Sequence, residues 1–202
     1  MKIYIATSNK HKVAEFGEMF QAAGLPCEVH SAADVIGFEA PAEDGGTFEE
    51  NAFIKADALK RKVPFDAYVM ADDSGIVVDA LGGAPGIHSA RYAGVSGDGA
   101  DAANNAKLLK ELENVEDAER TARFVCVIAL DCPDGRKVAF NGKIDGVINR
   151  GAKGVNGFGY DPLFFLPEKG VTTAELCASD KNEISHRGRA FAKLAEFLKK
   201  QK

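Results

Sequence analysis

The sequence lacks the features that mark several large protein classes. It has no tryptophan, no apolar run near the roughly 20 residues that cross a bilayer, and no recognisable secretory segment. Its four cysteines, Cys27, Cys126, Cys132 and Cys177, have neither CxxC spacing nor a cysteine/histidine metal pattern. We therefore predict reduced cysteines in the core of a cytoplasmic protein, and no membrane partner.

Positive charge is also scarce. Lysine and arginine number 25 against 30 aspartates and glutamates, so the formal net charge is −5. This balance argues against binding to the backbone of nucleic acids. Any anionic ligand must instead meet a local cluster of lysines and arginines. The length of 202 residues and the hydrophobic content of 46% suit one domain over residues 1–202, built as two lobes that share a sheet.

The most informative stretch runs from Val69 to Val78, where Asp72 and Asp73 interrupt an apolar, β-branched sequence. Such flanks are typical of a buried strand, in which a carboxylate is costly unless a cation or hydrogen-bond donors compensate it. A divalent cation would do so. Adjacent strand residues point to opposite faces, so we expect a bend at Ser74-Gly75 that lets both aspartates share one ion. The alternative is an acidic β-turn at the surface.

A second candidate site follows the first predicted strand, Lys2 to Ala6. The segment Thr7-Ser8-Asn9-Lys10-His11-Lys12 leads into an amphipathic helix that Gly24 ends. Free N–H groups and the helix dipole favour anions at a helix N-terminus, so the segment suits a phosphate even though the glycines of a P-loop are missing. The alternative is that Ser8 or Asn9 only caps the helix.

An acidic, turn-rich loop ends at Thr47, which has the spacing of a capping box with Glu50. In the helix that follows, Asn51 and Lys55 lie one turn apart on the same face. We expect the loop to bring Glu43 near the aspartate pair and Lys55 to supply a cation there. The alternative is a surface loop followed by a surface helix.

Aromatic residues stand among glycines in the segment Gly157-Phe158-Gly159-Tyr160-Asp161-Pro162. Flexible linkers seldom carry such groups. An aromatic face beside an acidic acceptor suits a nucleobase, and the alternative is a tight turn whose aromatics fill the core. Further on, Lys181, His186 and Arg187 form another candidate cation cluster, or else a solvated entry to the last helix.

The remaining patterns predict packing elements. Ala122 to Leu130 is a long apolar strand, and Pro133-Asp134-Gly135 turns it back into a second strand, Lys137 to Phe140. The closing helix carries apolar residues at helical spacing, namely Phe191, Leu194, Ala195 and Leu198. We expect these elements to form core.

Six segments together resemble the noncanonical purine nucleoside triphosphate pyrophosphatases, the inosine/xanthosine triphosphate pyrophosphatase family. The resemblance is collinear from residue 3 to about residue 195. It implies a two-lobed α/β fold with a long twisted mixed central sheet flanked by helices, an active-site cleft between the lobes, and a homodimer. The segments are Thr7 to Lys12, Gly46 to Ala52, Ala71 to Gly75, Gly82 to Tyr92, Gly157 to Pro162 and Ser185 to Gly188.

The resemblance also implies an activity and a site. The activity is hydrolysis of ITP, dITP and XTP to the monophosphate and pyrophosphate, with Mg²⁺ as cofactor. Asp73 matches the catalytic acceptor and a metal ligand, Glu43 the other metal carboxylate, and Asp72 a supporting one. The positions that match substrate-binding residues are Thr7, Ser8, Asn9, Lys10, His11, Lys12, Lys55, Ser74, Phe158, Gly159, Tyr160, Asp161, Lys181, His186 and Arg187.

Two other functions use the same groups. A pyrophosphatase for other nucleotides on a related fold would need the same metal and phosphate ligands. A noncatalytic nucleotide sensor would bind the ligand without turnover, and the extra carboxylates argue against it.

Overall fold

The computed structural model describes residues 1–201, in which strands and α-helices alternate as far as the fourth strand and are followed by three more strands and then two α-helices. The strands are β1 (Lys2–Ile5), β2 (Glu28–Ser31), β3 (Tyr68–Val78), β4 (Thr121–Asp131), β5 (Lys137–Ile148), β6 (Phe164–Leu166) and β7 (Val171–Thr172). The α-helices are α1 (Lys10–Ala22), α2 (Phe48–Lys60), α3 (Ala100–Glu111), α4 (Ala178–Ile184) and α5 (His186–Lys199). The α/β class expected from the sequence is confirmed.

The strands form a seven-stranded sheet in the order β2-β1-β3-β4-β5-β6-β7. β1 pairs in parallel with β2 and β3, with Ile3 opposite Val29 and Tyr68. β6 pairs in antiparallel fashion with both β5 and β7. The sheet is therefore mixed, as expected. A parallel neighbour requires a crossover connection, which α1 provides between β1 and β2.

The chain divides into two compact units. The first comprises Met1–Asp73, Cys126–Gly142 and the segment from Arg187 onward, and the second comprises Ser74–Val125 and Lys143–His186. The boundaries between them fall within β3, β4 and β5 and after the first residue of α5. Each unit has a buried apolar cluster of its own.

In the first unit, α1 and α5 pack through aromatic side chains. Phe20 meets Phe191 edge to face with ring centroids 4.8 Å apart. All four apolar residues predicted to form the core face of the closing helix are buried. Gly24 follows the end of α1 with a φ of 64°, the left-handed conformation expected of a glycine after a helix C-terminus. These predictions are confirmed.

β3 differs from the expectation in one respect. The bend predicted at Ser74-Gly75 is wrong, because the strand runs without interruption from Tyr68 to Val78. The acidic surface turn is excluded as well, since Asp72 is 1% exposed and Asp73 is 6% exposed. In a continuous strand, adjacent side chains point to opposite faces, and the two carboxylates accordingly hydrogen-bond to different cations.

The cysteines are free thiols, but only two of them are core residues. Cys126 and Cys132 are buried as predicted, whereas Cys27 is half-buried and Cys177 is exposed. Burial raises the pKa of the Cys126 thiol to about 12, so this thiol stays protonated. In residues 1–201, no helix has both the length and the apolar character that a membrane span requires.

Candidate active site

A buried ion network surrounds Asp72 in the first unit. Asp72 Oδ2 lies 2.8 Å from Lys12 Nζ and 3.2 Å from Arg187 Nη2. The guanidinium of Arg187 also donates through Nη1 to Glu15 Oε2 at 2.7 Å. Lys12 and Glu15 come from the first turns of α1, and Arg187 comes from the start of α5. Three elements therefore bring this network together.

The charges of this network support one another. Burial alone would raise the pKa of Asp72, but Lys12, Arg187 and Lys55 outweigh it and hold that pKa well below its usual range. Burial would likewise lower the pKa of Arg187, and Asp72 and Glu15 raise it instead. Both groups are consequently ionised at neutral pH.

A second network surrounds Asp73. Lys55 Nζ lies 2.8 Å from Asp73 Oδ1 and 3.0 Å from Glu43 Oε1, so one ammonium joins the two carboxylates. Asn51 Nδ2 approaches Asp73 Oδ2 at 3.5 Å, while Asn51 Oδ1 accepts the N–H of Gly45 at 2.9 Å. The acidic loop thus comes close to β3 as expected. The surface-loop alternative is wrong.

The environment of Asp73 acts on its pKa in the opposite direction to that of Asp72. Burial and the negative charge of Glu43 outweigh the attraction of Lys55, so the pKa of Asp73 is raised. Burial would lower the pKa of Lys55, but the surrounding carboxylates raise it. The ammonium between Glu43 and Asp73 therefore carries its charge.

The carboxylates of Glu43 and Asp73 have the chemistry of a magnesium site. Both bond to one cationic group, so their oxygens converge on a single position, and Mg²⁺ prefers hard oxygen ligands. Residues 1–201 contain no group of three or more histidine, cysteine or acidic ligands that would enclose a metal. Mg²⁺ commonly takes only one or two carboxylates and completes its shell with water and phosphate. The residues present fit that pattern.

The predicted phosphate segment, Thr7 to Lys12, forms the cap of α1. Asn9 Oδ1 accepts the N–H groups of His11 at 2.9 Å and Lys12 at 3.3 Å, and Asn9 N–H donates to Thr7 Oγ1 at 3.1 Å. Capping by Asn9, one of the two readings of this segment, is confirmed. Ser8, Lys10 and His11 are exposed. The cap holds the first turn from which Lys12 reaches Asp72.

In the second unit, Asp161 organises the glycine-aromatic loop. Its Oδ2 accepts Lys181 Nζ at 2.7 Å and Phe158 N–H at 2.9 Å, and its Oδ1 accepts Thr173 Oγ1 at 2.9 Å. A Cβ at Gly157 would stand 2.1 Å from Asp161 Oδ2, so only glycine fits there. Both carboxylate oxygens are thus engaged within the protein. The carboxylate that was expected to face a nucleobase is instead bonded to groups of the protein itself.

The aromatic residues of this region have different environments. Tyr160 is buried and donates through its hydroxyl to the carbonyl of Ser89 at 2.8 Å, so it fills the core. Phe158 is partly exposed and carries Lys181 Nζ 5.0 Å from its ring centroid. The buried ring of His186 stacks on Phe124 with centroids 4.7 Å apart. Phe158 therefore keeps an aromatic surface that a ligand can reach.

Two residues at these networks, Glu15 and Thr173, were not identified from the sequence. Glu15 stands three residues after Lys12, so helical spacing was the available signal, whereas Asn51 had been placed on the same helix face as Lys55 but was given no role. Thr173 gave no signal, because a threonine beside a short strand is unremarkable. Ser74, which was predicted to bind substrate, is half-buried directly after Asp73 on β3.

The chain is similar to known proteins over nearly its whole length. A model described as the Ham1 family matches residues 3–197. A protein of Listeria innocua named dITP/XTP pyrophosphatase is 51% identical over 197 residues, covering 98% of this chain and 94% of that protein. One of Leuconostoc mesenteroides with the same name is 45% identical over 198 residues, covering 98% and 96%.

Solved structures show the same similarity. The Ham1 protein of Staphylococcus aureus matches with a TM-score of 0.85 and 40% identity, covering 100% of both chains. A HAM1 protein from Coxiella burnetii matches with a TM-score of 0.87 and 38% identity, covering 99% of both chains. The similarity therefore spans both compact units and all the networks described above.

Proposed function

Because this chain belongs to the Ham1 family, we propose that it hydrolyses noncanonical purine nucleoside triphosphates, ITP, dITP and XTP, to the monophosphate and pyrophosphate. Relatives about half identical to it carry the name dITP/XTP pyrophosphatase, which supports this activity. The observation that carries the proposal is the convergence of Glu43 and Asp73 on one cationic position. Such a pair suits a reaction on phosphate groups that needs a metal.

We assign the metal-binding role to Glu43 and Asp73, with Mg²⁺ as the ion. When bound, Mg²⁺ neutralises phosphate oxygens and orients the substrate. For Asp72 we propose a supporting role in place of the metal-ligand role expected from the sequence. Its carboxylate holds Lys12 and Arg187 in place, and these two cations offset the charge of the phosphates.

Asp73 is the general base of the proposed reaction. It takes a proton from a water molecule, whose oxygen attacks the α-phosphorus. The bond between that phosphorus and the oxygen bridging to the β-phosphorus then breaks, and pyrophosphate leaves with the electron pair. Lys55, bonded to Asp73, supplies positive charge beside the reacting group.

The residues that we propose for contact with the base lie in the second unit. Phe158 offers a stacking surface beside Lys181, and His186 stacks on Phe124 in the same unit. A 6-keto purine presents an acceptor where adenine presents a donor. Backbone N–H groups, or His186, directed at that edge accept hypoxanthine and xanthine and leave adenine with a donor facing a donor. Sites that depend on such a hydrogen bond discriminate by roughly 10⁴-fold or more.

A panel of nucleoside triphosphates with pyrophosphate detection, run with and without Mg²⁺, tests the activity. We expect turnover of ITP, dITP and XTP that a chelator abolishes and added Mg²⁺ restores. Preference for other triphosphates would favour the related pyrophosphatase, and binding without turnover would favour a sensor. Asp73→Asn should lower kcat roughly 100-fold or more with an unchanged thermal melt. Near-normal turnover of that variant would exclude Asp73 as the base.

We further propose a homodimer located in the cytoplasm. The dimer follows from the family resemblance, and sedimentation equilibrium tests it, since a mass of one chain at micromolar concentration would contradict it. Free thiols at all four cysteines are typical of a reducing compartment. Fractionation of cells that express the protein tests the location.

A further inference from the structure

Helix α3 binds both backbone polar groups of Gly159. The Gly159 N–H donates to Asp101 Oδ2 at 2.7 Å, and the Gly159 carbonyl accepts Asn105 Nδ2 at 2.9 Å. Asp101 and Asn105 stand four residues apart and so share one face of the helix. A glycine has only these two hydrogen-bonding groups. Helix α3 consequently holds both the N–H and the carbonyl of Gly159.

The helix is itself well anchored. Leu108 and Leu112, at its C-terminal end, are fully buried in the core of the second unit. Asn104 accepts the N–H of Ala93 at 2.7 Å and donates to the carbonyl of Ala90 at 3.2 Å. α3 therefore cannot shift without disturbing the core or this neighbouring segment, and it can fix whatever it binds.

At Gly159 the backbone of the loop has a conformation that other contacts must hold in place. Its φ of 62° is in the left-handed region, and a Cβ there would meet no atom within 4 Å, so the requirement for glycine is conformational. The residues on either side are held separately, Phe158 by the carboxylate of Asp161 and Tyr160 by the carbonyl of Ser89. The two hydrogen bonds from α3 fix the backbone of Gly159 between these two residues.

Among the described residues, the side-chain amide of Asn105 forms a hydrogen bond only through its donor, Nδ2. Its Oδ1 is buried and has no hydrogen-bond partner within residues 1–201, while its Nδ2 holds Gly159. A buried unpaired acceptor is costly and calls for an explanation. Keeping the amide group in place for the sake of its donor is such an explanation.

We propose that Asp101 and Asn105 are positioning residues for recognition of the base. They hold Gly159 so that Phe158 presents its ring in one orientation before the substrate arrives, which lowers the entropic cost of binding. This inference rests on the proposed function and deepens it. Neither residue takes part in phosphoryl transfer, so their loss acts on KM for substrates that carry a base and leaves kcat unchanged.

Variants of the two residues separate positioning from general structure. Asn105→Asp removes the donor and sets a carboxylate oxygen against the Gly159 carbonyl. Asp101→Asn keeps an acceptor for the Gly159 N–H and is the conservative variant. Lys110→Ala changes an exposed residue of the same helix and serves as the matched control. Asn105→Ala, which removes the donor without adding a charge, replaces Asn105→Asp if the latter does not fold.

The measurements are kcat and KM for dITP, and the inhibition constant of inorganic triphosphate, which has the phosphates but no base. We expect Asn105→Asp to raise KM roughly 10-fold. Its kcat and its inhibition constant should stay at the wild-type values, and Asp101→Asn and Lys110→Ala should resemble the wild type. An unchanged KM in Asn105→Asp, or an equal rise in the inhibition constant, would overturn the inference. Absence of turnover in the wild type would instead refute the proposed function.

Discussion

Asp72 and Asp73 are adjacent in the sequence, but their pKa values are shifted in opposite directions. Lys12 and Arg187 keep Asp72 ionised, while burial and Glu43 raise the pKa of Asp73 in spite of Lys55. Neighbouring titratable groups whose environments separate their pKa values are characteristic of sites in which one group anchors charge and the other moves a proton. This contrast agrees with the proposal that Asp72 anchors cations while Asp73 acts in the reaction.

Replacing Arg187 should destabilise the protein strongly. Arg187→Met leaves the carboxylates of Asp72 and Glu15 without the buried guanidinium that joins them. We expect the free energy of unfolding to fall by roughly 3 kcal/mol or more, as measured by urea denaturation. Lys200→Met removes one partner of an exposed ion pair with Glu196 and is the control. Equal, small losses in both variants would contradict a supporting role for the buried network.

The pH dependence of stability follows from the same network. The pKa of Asp72 is depressed in the folded state, so its contribution is present above the unfolded pKa of about 3.9. That contribution is lost as the pH falls toward the folded value. Arg187→Met makes the depression smaller, so its acid unfolding should begin at a higher pH than that of the wild type. Circular dichroism during acid titration measures this.

At the scale of elements, the approach of the acidic loop to β3 depends on the start of α2. Thr47 Oγ1 accepts the N–H of Glu50 at 3.1 Å, as the predicted capping box requires. The carboxylate of Glu50, however, accepts the N–H of Gly46 at 2.7 Å. Asn51 binds the N–H of Gly45 and approaches Asp73. The loop that carries Glu43 is thus fastened to the helix at two successive glycines.

The two glycines are a matched pair for testing this arrangement. A Cβ at Gly45 would lie 2.8 Å from both Asn51 Oδ1 and Glu50 Cβ, whereas one at Gly46 would meet only Glu50 Oε2 at 3.5 Å. Gly45→Ala should therefore displace the loop and Glu43 with it. We expect a higher Mg²⁺ concentration for half-maximal activity in Gly45→Ala and the wild-type value in Gly46→Ala. A wild-type Mg²⁺ requirement in both variants would show that Glu43 does not depend on this anchor.

For the whole molecule, the balance of charge separates binding of a nucleotide from binding of a nucleic acid. The formal charge is −5, and Lys12, Lys55 and Arg187 are each paired with buried carboxylates. This local cluster sets three cations against four carboxylates, so it can neutralise phosphates only together with the proposed Mg²⁺. It does not provide the extended basic surface that duplex DNA requires.

We accordingly expect no retention on heparin and no shift of duplex DNA at low salt. The anionic surface repels the polyanion, and no counterion release compensates. A basic protein of similar size, run in parallel, shows that the assay detects binding. Tight binding that weakens steeply with added salt would contradict the prediction.

The sequence by itself determined the α/β class, several of the elements and much of the core. The periodicity of α5, the glycine after α1, the cap at Asn9 and the apolar run of β4 depend on residues close together in the chain. Backbone preferences and capping act over a few residues, so a local pattern is sufficient to predict them. The resemblance of six segments to one family added the class of function.

Only the tertiary structure decided which groups meet. Arg187 bonds to Asp72 across 115 positions and to Glu15 across 172, and Asn105 bonds to Gly159 across 54. It also decided that β3 continues through both aspartates and that Cys177 is exposed. Hydrogen bonds and ion pairs between distant residues depend on distances in space that packing sets, and such distances leave no periodic signal along the chain.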